Sequence, residues 1–208
     1  MTEFPRLRES RHASGFELRL ADADSTFALF RGYASVTDHP YDVYGGPNDG
    51  GWTETIARGA FKRTLGIDRN RALLKAHNNA DVVATTRSGT LSFVEDSVGL
   101  LAEAKLDTRV SWIADLAQQI ETAVVDEMSI GFYARGQQWN RDYTQRTITE
   151  VELVEGTIVW AGANPATVGS IERMAQLVTE ARAATVASTT RRVEIAAKAA
   201  LASLRLKA

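Results

Sequence analysis

Short runs in which apolar and polar residues alternate, broken every few positions by glycine or a polar turn, dominate this chain and restrict it to a mainly β fold. In Phe27 to Val36, Phe27, Leu29, Arg31 and Tyr33 oppose Ala28, Phe30, Gly32 and Ala34, the pattern of a half-buried strand. Phe16 to Leu20, Ala72 to Ala76, Val82 to Thr86, Thr90 to Val94 and Leu100 to Leu106 read the same way. Arg87-Ser88-Gly89 and Glu95-Asp96-Ser97-Val98-Gly99 supply turns. Ile130 to Trp139 and Arg146 to Val154 form the arms of a hairpin around Asn140-Arg141-Asp142-Tyr143, and Thr157 to Ala161 is a last strand. Two helices interrupt the pattern. One covers Ile56 to Leu65; the other follows a cap at Asp107 or Thr108 and carries Ile113, Leu116, Ala117, Ile120 and Val124 as an apolar stripe. About eight strands and two helices predict a mainly antiparallel sheet or β-barrel with helices outside it.

The ends differ from this body. Residues 1–15 are polar and basic with little periodicity, which predicts a mobile N-terminal arm; the β domain occupies 16–170. Within it, 37–55 holds Pro40, Pro47 and the run Gly45-Gly46-Pro47-Asn48-Asp49-Gly50-Gly51, a long loop without a packing pattern. Residues 171–208 lack glycine and proline, and carry seven basic and three acidic residues in a chain of net charge −2. Ile171, Met174, Ala175 and Val178, then Val193, Ala197, Ala200, Leu201 and Leu204, predict a helical tail that packs on the body or pairs with another copy.

Several function classes are excluded at this level. No apolar run approaches the roughly 18 residues of a membrane span, and Met1 to Arg6 shows no apolar signal region, so an intracellular protein is expected. The absence of cysteine removes disulfides, thiolate nucleophiles and zinc sites built on sulfur, and nothing calls for a metal or cofactor. The basic excess of the tail is diffuse and lacks an aromatic platform, which argues against specific nucleic-acid binding.

Asp126-Glu127-Met128-Ser129-Ile130-Gly131-Phe132 places a hydroxyl at the start of an apolar strand. Met128, Ile130 and Phe132 point one way, and Ser129 and Gly131 the other, where the glycine leaves room for approach. The window fits both a nucleophile and an ordinary strand serine. A serine nucleophile needs a base, and the base a third group that orients it. Of His12, His39 and His77, only His77 falls at the end of a strand; His12 lies in the arm and His39 in the long loop. Simple alternation through Thr149 to Glu155 sets Glu155 on the side of Val151 and Leu153, opposite Glu150 and Glu152, and a carboxylate on an apolar face needs a partner.

The order of these segments resembles the prohead serine proteases of tailed bacteriophages. Arg31-Gly32-Tyr33-Ala34-Ser35-Val36, Gly59-Ala60-Phe61, His77-Asn78, Ser129-Ile130-Gly131-Phe132 and Glu155-x-x-Ile158-Val159-x-x-x-x-Asn164-Pro165 carry the resemblance, from about Arg31 to Ala166. It implies a β-barrel surrounded by helices, similar to the herpesvirus assembly proteases, and an enzyme that cuts scaffold and major capsid protein, and itself, inside the immature capsid in the host cytoplasm. Ser129 is then the nucleophile, His77 the general base and Glu155 the third member. The herpesvirus-type enzymes use an arginine-bearing loop for the oxyanion, but Trp160 to Ala166 contains no arginine or lysine; backbone amides near Gly162, Ala163 and Asn164, or a water they hold, are the candidates in its place. The alternative is a catalytically inactive barrel that serves as a scaffold or assembly module.

Overall fold

The computed structural model describes residues 8–14, 16–20 and 26–160, the first two segments as backbone only. Among the described residues eleven strands fall into two sheets. The smaller sheet is antiparallel throughout and runs β2 (Phe16–Leu20), β3 (Phe27–Val36), β9 (Gly99–Asp107), β8 (Leu91–Glu95). The expected alternation sets its inner face: Ala28, Phe30 and Ala34 are buried while Leu29 is 43% exposed.

The larger sheet is built on one strand. β11 (Gln145–Val159) pairs along one edge with β10 (Glu127–Trp139), which pairs in turn with β1 (Arg8–Ser14). Its other edge is shared: β5 (Trp52–Ile56) lies parallel to Gln145–Ile148, and β6 (Ala72–Lys75) lies parallel to Glu155–Ile158. β4 (Tyr41–Val43) extends the sheet beyond β5, and β7 (Asn78–Thr85) extends it beyond β6. Between β5 and β6 the exposed edge of β11 is covered by the segment around α1 (Lys62–Leu65): Val151 N–H donates to Ala60 O at 2.9 Å and Leu153 N–H to Thr64 Oγ1 at 3.1 Å. Both of these buried amides are thereby satisfied, as burial requires.

The core lies between the sheets, with Phe30, Leu100 and Leu106 from the smaller and Met128, Ile130, Phe132, Leu153 and Ile158 from the larger. α2 (Ser111–Glu121) adds Ile113, Leu116, Ala117 and Ile120.

Several expectations are corrected. Residues 8–14 belong to β1 rather than to a mobile arm, because the outer edge of β10 offers a full antiparallel ladder to a polar strand. The loop 37–55 holds β4, a 3-10 turn at Pro47–Asp49 and β5; its glycine run is a built turn, since a Cβ on Gly51 would stand 1.9 Å from Val43 O. Ile56 ends β5 instead of opening a helix. Val110 takes the N-cap position of α2 without a side-chain cap, while Asp107 binds Arg109, and Val124 lies beyond the helix at 63% exposure. The strands expected at 146–154 and 157–161 are one strand. The larger sheet is mixed where β5 and β6 join β11, and the described strands form two sheets with no closed barrel. The tail at 171–208 lies outside the described residues.

Candidate active site

Ser129 lies in the interior of the sheet, between β1 and β11, with its Cα opposite His12 on one side and Thr157 on the other. Its neighbours Met128 and Ile130 are fully buried in the core, so Ser129 faces the opposite side of β10; its own exposure is 0%. A strand that buries one face between two partners holds a short side chain in one place.

His77 sits in the hairpin joining β6 to β7. Lys75 and Asn78 are paired, which makes Ala76-His77 a two-residue loop, and both residues have positive φ, 50° and 57°. Such loops are normally Asn-Gly or Asp-Gly; for residues with a Cβ the left-handed conformation costs about 1–2 kcal/mol each. Ala76 N–H donates to Ile158 O at 2.9 Å and His77 N–H to Thr157 Oγ1 at 3.0 Å, so both amides of the strained turn are held by β11. His77 is therefore a turn residue, not a strand end, and its side chain is projected back over the sheet toward Ser129.

Glu155 arrives on that face through a bulge. Phe132 pairs with Leu153 but Gly131 pairs with Glu155, so Val154 is an extra residue on β11. Before the bulge Val151 and Leu153 face the core; after it Glu155 and Thr157 share the side of Ser129. The simple alternation that put Glu155 with Val151 and Leu153 is thus overturned, although the residue needed a polar partner in either case.

The three side chains meet in line. His77 Nε2 lies 3.0 Å from Ser129 Oγ, and His77 Nδ1 lies 2.8 Å from Glu155 Oε1. The His77 and Glu155 side chains are 4% and 3% exposed. An ionised carboxylate only accepts, so Nδ1 carries the ring proton and Nε2 is left to accept from the serine hydroxyl. Ser129, His77 and Glu155 thus have the connectivity of a nucleophile, its base and the group that orients the base.

The order of segments noted above has a counterpart in a family comparison: the model of the caudovirus prohead serine proteases matches residues 14–180. The chain belongs to that family. No curated protein and no solved structure matches it. Membership in the caudovirus prohead serine protease family makes a protease role in capsid maturation the coarse functional reading.

Of the other candidates, His39 is exposed on the segment after β3, and Gly162, Ala163 and Asn164 lie outside the described residues. Among the described residues no three His, Asp or Glu side chains group closely enough to hold a metal ion. Thr157 was missed by sequence reasoning. The alternation places it first in a new strand, and its only sequence signal is that it stands two positions after Glu155.

Proposed function

We propose that this prohead protease is a serine endopeptidase in which Ser129 attacks the peptide carbonyl, His77 accepts its proton through Nε2 and returns it to the leaving amine, and Glu155 orients the imidazole and stabilises its charged form. The observation that carries the reading is the pair of contacts on one ring, 3.0 Å from Nε2 to Ser129 and 2.8 Å from Nδ1 to Glu155. The substrates are segments of scaffold and major capsid protein, and exposed segments of the chain itself, cut within the immature capsid in the host cytoplasm. Backbone amides at Gly162, Ala163 and Asn164 serve the oxyanion. The 171–208 tail docks the enzyme on its assembly partners or on a second copy.

One observation favours a second reading, an inactive assembly module: Ser129 has 0% exposure. Co-expression with scaffold and capsid protein, with mass spectrometry of the fragments, separates the two. Processing in wild type that disappears in Ser129→Ala supports the protease. Identical fragment patterns in both would leave the assembly module standing.

A further inference from the structure

A catalytic histidine in a strained turn needs something to hold the turn in place, and the contacts around His77 identify what does so. Ala76 and His77 both have positive φ without being glycine. Such a conformation persists only where its surroundings over-determine it. Here the surroundings are two consecutive residues of β11: Ile158, whose carbonyl accepts from Ala76 N–H, and Thr157, whose hydroxyl accepts from His77 N–H.

We propose that Thr157 is a positioning residue of the reaction that acts through His77, an inference that rests on the Ser129–His77–Glu155 reading and extends it. The Thr157 hydroxyl donates to Leu74 O at 3.1 Å while it accepts from His77 N–H at 3.0 Å. Spending its single proton on Leu74 fixes the rotor and turns a lone pair toward the histidine amide. Thr157 is fully buried, which holds this arrangement against exchange with solvent. Its Cα pairs with Ser129 across β10–β11 and with Leu74 across β11–β6. One hydroxyl therefore ties the main chain of the base to the strand that carries Glu155 and lies opposite Ser129. The side chain touches neither the imidazole ring nor the serine hydroxyl in any described hydrogen bond; its effect passes through the position of the His77 backbone.

The hydroxyl is separable from the packing. Valine has the same branched shape and the same strand preference, so Thr157→Val removes only the donor and acceptor, and Thr157→Ser retains them. Without the hydroxyl the backbone of the turn keeps its contact to β11 at Ala76 and loses the one at His77, which shifts the Nε2 to Oγ distance.

The test uses the full chain and a fluorophosphonate probe, recording the labelling rate constant and the end-point separately for wild type, Thr157→Val, Thr157→Ser and Ser129→Ala. Since an ångström of misplacement costs up to about a hundredfold in rate, Thr157→Val should label to the wild-type end-point about ten- to a hundredfold more slowly, and Thr157→Ser within about threefold of wild type. Wild-type labelling kinetics in Thr157→Val would overturn the proposal. So would a reduced end-point with an unchanged rate constant, the signature of a hydroxyl that serves folding alone. If wild type fails to label, like Ser129→Ala, the Ser129 reading fails and this inference falls with it; labelling of wild type and Thr157→Val alike removes only the role of Thr157. Should Thr157→Val not fold, the same comparison is made in an Ala76→Gly background, where the turn carries less steric penalty.

Discussion

The contact between His77 Nδ1 and Glu155 Oε1 decides which nitrogen of the ring is left bare toward Ser129. Glutamine in place of Glu155 offers a donor as well as an acceptor, so the ring is free to protonate Nε2, the tautomer that cannot take the serine proton. Glu155→Gln is therefore expected to lower turnover by about 10⁴-fold with the fold intact, measured as scaffold processing and as the fluorophosphonate labelling rate. Retention of full activity would move the third role elsewhere. The scarcity of histidines, the Ser-Ile-Gly-Phe strand and the resemblance that orders them singled out His77 and Ser129 in the sequence, and the structure brings these two side chains within 3.0 Å. The face of Glu155 was not legible, because the Val154 bulge reverses the alternation after Leu153 and leaves no mark in composition. Thr157 was hidden for the same reason, since its value lies in a contact with a backbone amide eighty residues away in sequence.

At the level of elements, β11 is the spine against which everything at the site is registered. Its edge between β5 and β6 is closed by Ala60 O and by Thr64 Oγ1, which accepts from Leu153 N–H at 3.1 Å. Thr64→Val keeps the volume and leaves a buried amide unsatisfied, so a loss of about 1–3 kcal/mol in denaturant unfolding is expected. The outer face of the same strand is tied by Glu152, which accepts from Arg135 on β10 and from Arg69 ahead of β6, the latter at 2.5 Å. The hydrogen bond from Arg135, followed by that from Arg69, holds the Glu152 carboxyl below its usual range against the opposing effect of burial. A depressed folded value means that the unfolded chain binds the proton first, so the contribution is complete above the ordinary glutamate value of about 4.3 and is lost as pH falls through the folded one. Thermal unfolding of wild type and Glu152→Gln should differ at neutral pH and converge in acid; a gap that stays constant with pH would assign it to something other than this charge. The strands themselves were readable from alternation, as β3 shows. Their ends were not: Glu155-Gly156 looks like a break between strands, yet β10 and β6 pair on either side of it and carry β11 straight through.

Across the whole molecule, the two ends of β11 hold two buried polar pairs in different settings. Near its start, Arg146 and Glu54 are both 0% exposed and 2.8 Å apart. Glu54 also accepts from Tyr41 at 2.6 Å and Trp52 at 3.3 Å, Arg146 donates to Gln137 at 2.7 Å, and the guanidinium lies over Trp139. Near its far end stand Glu155 and His77. Glu155 lies nine positions after Arg146 along the strand, a span of about 30 Å at the usual rise. Removing one member of a fully buried pair strands the other charge, at a cost of about 3–5 kcal/mol. Arg146→Met should therefore lower the unfolding midpoint severely, and Arg146→Met with Glu54→Gln should recover part of that loss, because the stranded carboxylate is gone. Sites this far apart without shared partners usually contribute independently. The fluorophosphonate labelling rate of the folded fraction is accordingly expected to match wild type in both variants, with only the end-point reduced in proportion to unfolded protein. A labelling rate that fell with the midpoint would instead mean that β11 transmits disorder along its length, and that the pair at Arg146 and Glu54 supports the geometry of His77 as well as the stability of the sheet.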